Sequence, residues 1–187
     1  MESHRAARDE PFALARWGVI LLTGVWSVLA LNWAVAPGSG WLLSGGVLLG
    51  GWLVIATVWL GTVVAVAPRR LTAVVVVPPL AVIATISLIV AGIPRYAGFV
   101  VHEAELAAYA RSISAGTVSG GERRIGPFTV RDPKRLAGGA RFTLADGGGI
   151  LLEEGYAFLP HGDTGDLDVT TSVHLFGPWH HWTIDYD

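Results

Sequence analysis

The sequence predicts an α-helical membrane region of three transmembrane helices, followed by a small α+β domain with one helix and an antiparallel sheet of about five strands. Three observations lead there. Between Trp17 and Pro94 the only charged residues are Arg69 and Arg70. That stretch divides into three apolar runs, 17–36, 41–67 and 71–93, each long enough to cross about 30 Å of hydrocarbon as a helix of roughly 20 residues. Beyond residue 94 the chain changes to short segments with a two-residue apolar alternation, separated by Gly and Pro. The whole chain has 187 residues, is 52% apolar with mean hydropathy +0.51, and carries only 15% charged residues. A soluble domain carries about 25%. These averages therefore mix two regions with different physics.

The runs lack the alternation of barrel strands, and a bilayer admits only helices or closed barrels. The connections PGSG (37–40) and PRR (68–70) are short, so successive spans are antiparallel neighbours. Arg5, Arg8 and Arg16 precede the first span, and Arg69 and Arg70 lie between the second and third. The bias of Arg toward the cytoplasm then places residues 1–16 as a cytoplasmic tail and residues 94–187 outside the membrane. Arg95, just outside, opposes that bias. Trp17, Trp33 and Trp41 fall near span ends, as interfacial aromatics do. An alternative for the first span is a cleaved signal peptide, with Ala34-Val35-Ala36 as the cleavage triplet. Pro37 after the cut and the length of the run both argue against it.

No ionisable side chain lies within the three runs, so proton relays and ion pathways have little to work with. The second run carries Gly46, Gly50, Thr57 and Gly61, which fall within about 60° of one another at 100° per residue. The first offers Thr23, Ser27, Ala30 and Ala34. Such small-residue stripes let helix backbones approach closely. The expected use is packing within the three-helix hairpin; a partner protein or a second copy is the alternative. Pro78 and Pro79 remove two backbone donors from the third span and should kink it.

In the last ninety-odd residues, HEAELAAYARSISAG (102–116) reads as a helix, with Leu106, Tyr109, Ala110 and Ile113 at helical spacing. SGG follows as a linker. Phe128 and Val130, Phe142 and Leu144, and Val173 and Leu175 then alternate with polar neighbours, as half-buried strands do. The segments GPFTVRD, ARFTLAD, ILLEEGYAFLP, VTTSVHLFG and PWHHWTIDYD supply about five strands.

PWHHW raises the question of a metal site. In a strand, successive side chains alternate faces. His180, Trp182, Ile184 and Tyr186 share one face, and Trp179, His181, Thr183 and Asp185 the other. The adjacent histidines cannot jointly hold one ion, but either could do so with His174, His161 or an aspartate. The bland alternative is a last strand with one inward and one outward histidine. Asp163, Asp166 and Asp168 in HGDTGDLD could hold calcium, although their order departs from the usual loop; a solvated turn is the simpler expectation. HEAEL begins like a zinc-protease helix, but Leu106 stands where the second histidine is needed. Glu153 and Glu154 would point to opposite faces of a strand, which disfavours an acid/base pair. G-x-S-x-G, S-x-x-K and P-loop motifs are absent. The chain has no cysteine and no basic tract of the kind that binds nucleic acid. No cofactor is expected. No Lys or Arg follows Arg141, whereas eight acids do. These charges could pair across strands or meet a basic partner.

Arg124-Ile125-Gly126 with Phe128 and Val130, Gly138-Gly139-Ala140-Arg141-Phe142, Gly148-Gly149-Ile150-Leu151, Gly155-Tyr156-Ala157-Phe158-Leu159-Pro160 and Leu175-Phe176-Gly177-Pro178-Trp179-His180-His181-Trp182 together make a pattern covering about half the chain. In these residues the chain resembles a family of actinobacterial multi-span membrane proteins that carry a C-terminal extracytoplasmic α+β domain and have no assigned activity. The resemblance implies a bacterial inner-membrane setting. The expectation is a bilayer-embedded, non-enzymatic protein displaying an interaction, accessory or sensing domain to a protein partner, possible also as a homo-oligomer. A metal- or ligand-binding module is the alternative, and a membrane hydrolase the next.

Overall fold

The computed structural model describes residues 3–36, 41–66, 73–118, 120–145, 147, 152–160, 165 and 167–186. The chain divides into two units. One comprises residues 1–34 and 42–94, the other 35–41 and 95–187. The first unit holds three helices: α1 (Ser3–Val35), α2 (Trp41–Val66) and α3 (Ala73–Val90). Segments of all three, Trp17–Val35, Leu42–Val64 and Ala73–Val90, are long and apolar enough to cross a membrane.

Tryptophan N–H groups tie these helices together. Trp26 Nε1 donates to the Leu48 carbonyl at 3.0 Å, and Trp33 Nε1 to Ser44 Oγ at 2.9 Å, so α1 lies beside α2. Trp59 Nε1 donates to the Val74 carbonyl at 2.7 Å, which sets α2 beside α3. This last bond has a specific cause. The Val74 carbonyl would ordinarily accept from the N–H of residue 78, four residues on. Residue 78 is proline and has none. In hydrocarbon an unpaired carbonyl costs several kcal/mol, and the indole of Trp59 supplies the missing donor. Replacing Trp59 with phenylalanine keeps the ring and removes the donor. It is expected to destabilise the α2–α3 pair by about 1–3 kcal/mol, read as a lower midpoint of thermal unfolding in detergent, while Trp52→Phe serves as the control.

The small-residue stripes behave differently from one another. On α1, Thr23, Ser27 and Ala30 are buried, as expected of a packing face. On α2, Gly46, Gly50, Thr57 and Gly61 are all exposed, and a side chain at any of the three glycines would meet nothing within 4 Å. The expectation that this stripe packs within the hairpin is therefore corrected. The close approach is made instead by Gly45 and Gly51, which lie against the rings of Trp33 and Trp26. Helical spacing groups residues by face, but the bulky indoles decide which face is used.

α3 ends in a turn at Ala91–Gly92, with Gly92 in the left-handed region at φ +69°, a common helix terminator. α4 (Ile93–Ser114) begins at once, with Pro94 in its first turn, where a missing N–H is harmless. This helix starts nine residues before the expected 102. In the sequence Ile93 closes the third apolar run, and residues 94–101, with Pro94 and Gly98, show no element of their own.

The second unit adds a six-stranded antiparallel sheet in the order β1-β2-β3-β4-β6-β5. The strands are β1 (Arg123–Ile125), β2 (Phe128–Leu136), β3 (Gly139–Leu144), β4 (Leu152–Phe158), β5 (Thr171–Phe176) and β6 (Trp179–Asp185). Five were expected; β1 is the addition. Two of its hairpins use the same device. Gly126-Pro127 and Gly177-Pro178 are two-residue turns, with the glycines at φ +56° and +53°, the conformation that matches the strand twist. One core cluster gathers Phe99, Leu106, Tyr109, Ala110 and Ile113 of α4 with Phe128, Val130, Phe142, Tyr156 and Trp179. The other sheet face carries Leu136, Ala157, Leu159, Leu167 and Trp182.

Candidate functional site

The strand register settles where PWHHW points. Tyr156 pairs with His181 and Ala157 with His180 across β4 and β6. Trp179 belongs to the cluster beneath α4 and Trp182 to the opposite one. His180 and His181 therefore point apart, as the alternation requires.

On the α4 face, His181 joins a polar group that crosses the fold. Glu154 of β4 is buried, and its two carboxylate oxygens lie 2.6 and 2.8 Å from one guanidinium nitrogen of Arg95. His181 Nε2 sits 3.3 Å from Glu154 Oε2. The Tyr156 ring is 5.8 Å from the His181 ring. Burial pushes the Tyr156 phenol far above its ordinary value; the Arg95 charge opposes this and that of Glu154 adds to it. Further along α4, Glu103 Oε1 accepts from Trp179 Nε1 at 2.9 Å, while His102 Nδ1 lies 3.0 Å from the Gly98 carbonyl. Of the polar residues of HEAEL, Glu103 thus holds the helix to the sheet and His102 holds it to itself.

Arg95, Glu154 and Glu103 were not among the expected site residues. Arg95 had only the mark of a charge opposing the expected topology. Glu154 occupies an inward position of an alternating strand, and its partner is 59 residues away. Glu153 points outward, where it accepts from the Tyr186 hydroxyl at 3.0 Å and lies 3.6 Å from Arg131. The two glutamates are on opposite faces, and both pair with an earlier base, Glu154 with Arg95 and Glu153 with Arg131. Glu154→Ala is expected to cost about 2–3 kcal/mol, less than a fully buried pair because Arg95 is partly exposed. Glu154→Gln, which retains an acceptor for Arg95, should lose less. Chemical denaturation of the full chain checks the order.

On the other face, His180 is directly opposite His174 of β5, with ring centroids 5.0 Å apart and an interplanar angle of 68°. His174 Nε2 lies 2.9 Å from the Gly177 carbonyl. Burial lowers the pKa of His180, and the His174 charge lowers it further. The unfolded chain then binds the proton more tightly, so stability from this site is complete above about pH 6.5. It is lost as pH falls below that toward the lower folded value. A thermal midpoint declining below pH 6.5, with a shallower decline in His180→Gln, is expected.

Of the proposed calcium ligands Asp163, Asp166 and Asp168, only Asp168 lies within the described residues; His161, the further candidate for the histidine site, also lies outside them. Asp168 adopts φ +47°, and the carbonyls of Leu167 and Asp168 accept from Arg141, whose guanidinium also lies over the Trp182 ring. Among the described residues, no group of three or more His, Asp or Glu side chains converges as a metal site. No family model, curated protein or solved structure matches the chain.

Proposed function

We propose that this is a non-enzymatic, membrane-anchored interaction module of a bacterial, actinobacterial-type inner membrane. In this reading the N-terminus is cytoplasmic and the second unit is displayed outside, where it binds another membrane protein. The observation that carries it is the outward face of α4. Ile93, Tyr96, Val100 and Val101 are 49%, 50%, 46% and 75% exposed, while Phe99, Leu106 and Ala110 are turned into the core. A contiguous exposed apolar strip is characteristic of an interaction surface. It begins three residues after Val90, where the third apolar helix ends. Its closeness in sequence to an apolar span favours a partner anchored in the same bilayer.

The polar groups support the same reading. Arg95, Glu154 and His181 engage one another, and Glu103 engages Trp179. They fasten α4 to the sheet and so present its other face as a rigid surface.

A photoreactive residue placed at position 101 in the full chain, in its native membrane, tests the proposal. A discrete protein adduct identified by mass spectrometry is expected, and it should be lost from the Val100→Glu variant. Adducts to lipid alone would show that the strip rests on the bilayer and would overturn the reading.

A further inference from the structure

We propose that His174 and His180 form a binding site for a divalent transition-metal ion that favours imidazole ligands, with Cu²⁺ bound most tightly of the common ions and water filling the remaining positions. This goes beyond the interaction reading and does not depend on it.

The geometry carries the proposal. The two residues are directly opposite one another on the β5–β6 hairpin. A metal–nitrogen distance of about 2.0–2.1 Å, added to the ring radius, puts each imidazole centroid about 3.2 Å from a shared ion. Ligand angles between square and tetrahedral then separate the centroids by about 4.5–5.2 Å. The observed separation is 5.0 Å. The centroid separation therefore falls within the range that a shared ion requires.

The second contact sets the tautomer. The Gly177 carbonyl only accepts, so the 2.9 Å approach of His174 Nε2 places the proton on that nitrogen. Nδ1 of His174 then carries the lone pair needed for a metal. A backbone carbonyl holding the distal N–H is the usual outer support of a metal-bound histidine. Gly177 belongs to the Gly-Pro turn of the same hairpin, so the turn that sets the strand register also orients the ligand.

The partner imidazole is prepared differently. His180 is buried in the sheet face, which holds its ring in place for a metal. β6 is held on both sides, by β4 and β5, which fixes the His180 backbone. His174 lies on the exposed edge strand and leaves the ion open to solvent. His181, on the other face beside Glu154, is outside the set. Two nitrogen ligands and a solvent-facing position suit Cu²⁺, which leads the divalent series for such sites.

The test is titration of untagged full-length protein with Cu²⁺ in mild detergent, in a His4→Gln, His161→Gln background. Calorimetry reads the affinity, and electron paramagnetic resonance counts the coordinated nitrogens. One ion per chain with two imidazole nitrogens is expected. His174→Gln should weaken binding at least tenfold and reduce the nitrogen count, whereas His181→Gln should leave both unchanged. Because His174 is exposed, its variant is expected to keep the fold, which hydrogen exchange of β6 amides verifies. Unchanged affinity in His174→Gln, or an equal loss in His181→Gln, would overturn the assignment. Neither result bears on cross-linking from α4, which is performed without added metal.

Discussion

Trp179→Ala is expected to destabilise the second unit by about 3–5 kcal/mol, the range for truncating a buried aromatic. Trp179 is fully buried and is the hub of the aromatic cluster. Its ring lies 5.2 Å from Phe99 and 5.0 Å from Phe158, edge-on to both. Such pairs add about 0.5–1.5 kcal/mol beyond area burial. The indole N–H also satisfies Glu103, so truncation strands a partly buried carboxylate as well as leaving a cavity. A unit of this size has roughly 5–14 kcal/mol in total, so the loss is a large share of it. Hydrogen exchange on the full chain in detergent should show β4 and β6 amides deprotected together. Trp179→Phe should be milder, because it keeps much of the volume and loses only the donor.

Gly155→Ala should have a comparable effect by the opposite route, adding one carbon where there is no room. A side chain at Gly155 would run into the Phe142 carbonyl of β3 and the Trp182 ring. The first obstacle is backbone and cannot rotate away. Either β3 and β4 separate or Trp182 leaves its site over the sheet. The expected cost is about 3 kcal/mol or more, at the upper end for overpacking. The readout is loss of protection at the β3–β4 pairs Phe142–Tyr156 and Thr143–Gly155. Gly138→Ala is the control, since a side chain there meets nothing within 4 Å.

Much of this architecture is legible in the sequence because it is governed by local periodicity. The three apolar helices follow from run length, and β2, β3 and β6 from alternation around Phe128, Phe142 and Trp179; β5 is a strand as expected, but Val173 is exposed and a register shift between His174 and Phe176 breaks the alternation expected there. The divergence of His180 and His181 follows from the strand period alone. β1 was not legible: three residues, Arg123–Ile125, show no period, and they follow the glycines at 120 and 121. The first half of α4 was hidden because Ile93 closes the third apolar run and Pro94 and Gly98 interrupt the helical pattern before residue 102. Spacing on α2 grouped Gly46 with Gly50, but the contacts use Gly45 and Gly51 because the rings of Trp33 and Trp26 lie there. The Arg95–Glu154 pair was illegible for a more general reason. It joins residues far apart in the chain, and only the antiparallel return of β4 and β6 under α4 brings them together.

The bond from Trp59 to the Val74 carbonyl has a bearing on biogenesis. A segment that enters the bilayer with every carbonyl satisfied can partition on its own. α3 cannot do so at full stability, because Pro78 leaves an acceptor that only its neighbour can fill. Its partition into lipid is therefore expected to improve when α2 is already present, and synthesis from the N-terminus delivers the two in that order. Expressed as separate fragments, α3 should be retained in the membrane less well without α2 than with it, even though its own hydropathy exceeds that of its neighbour.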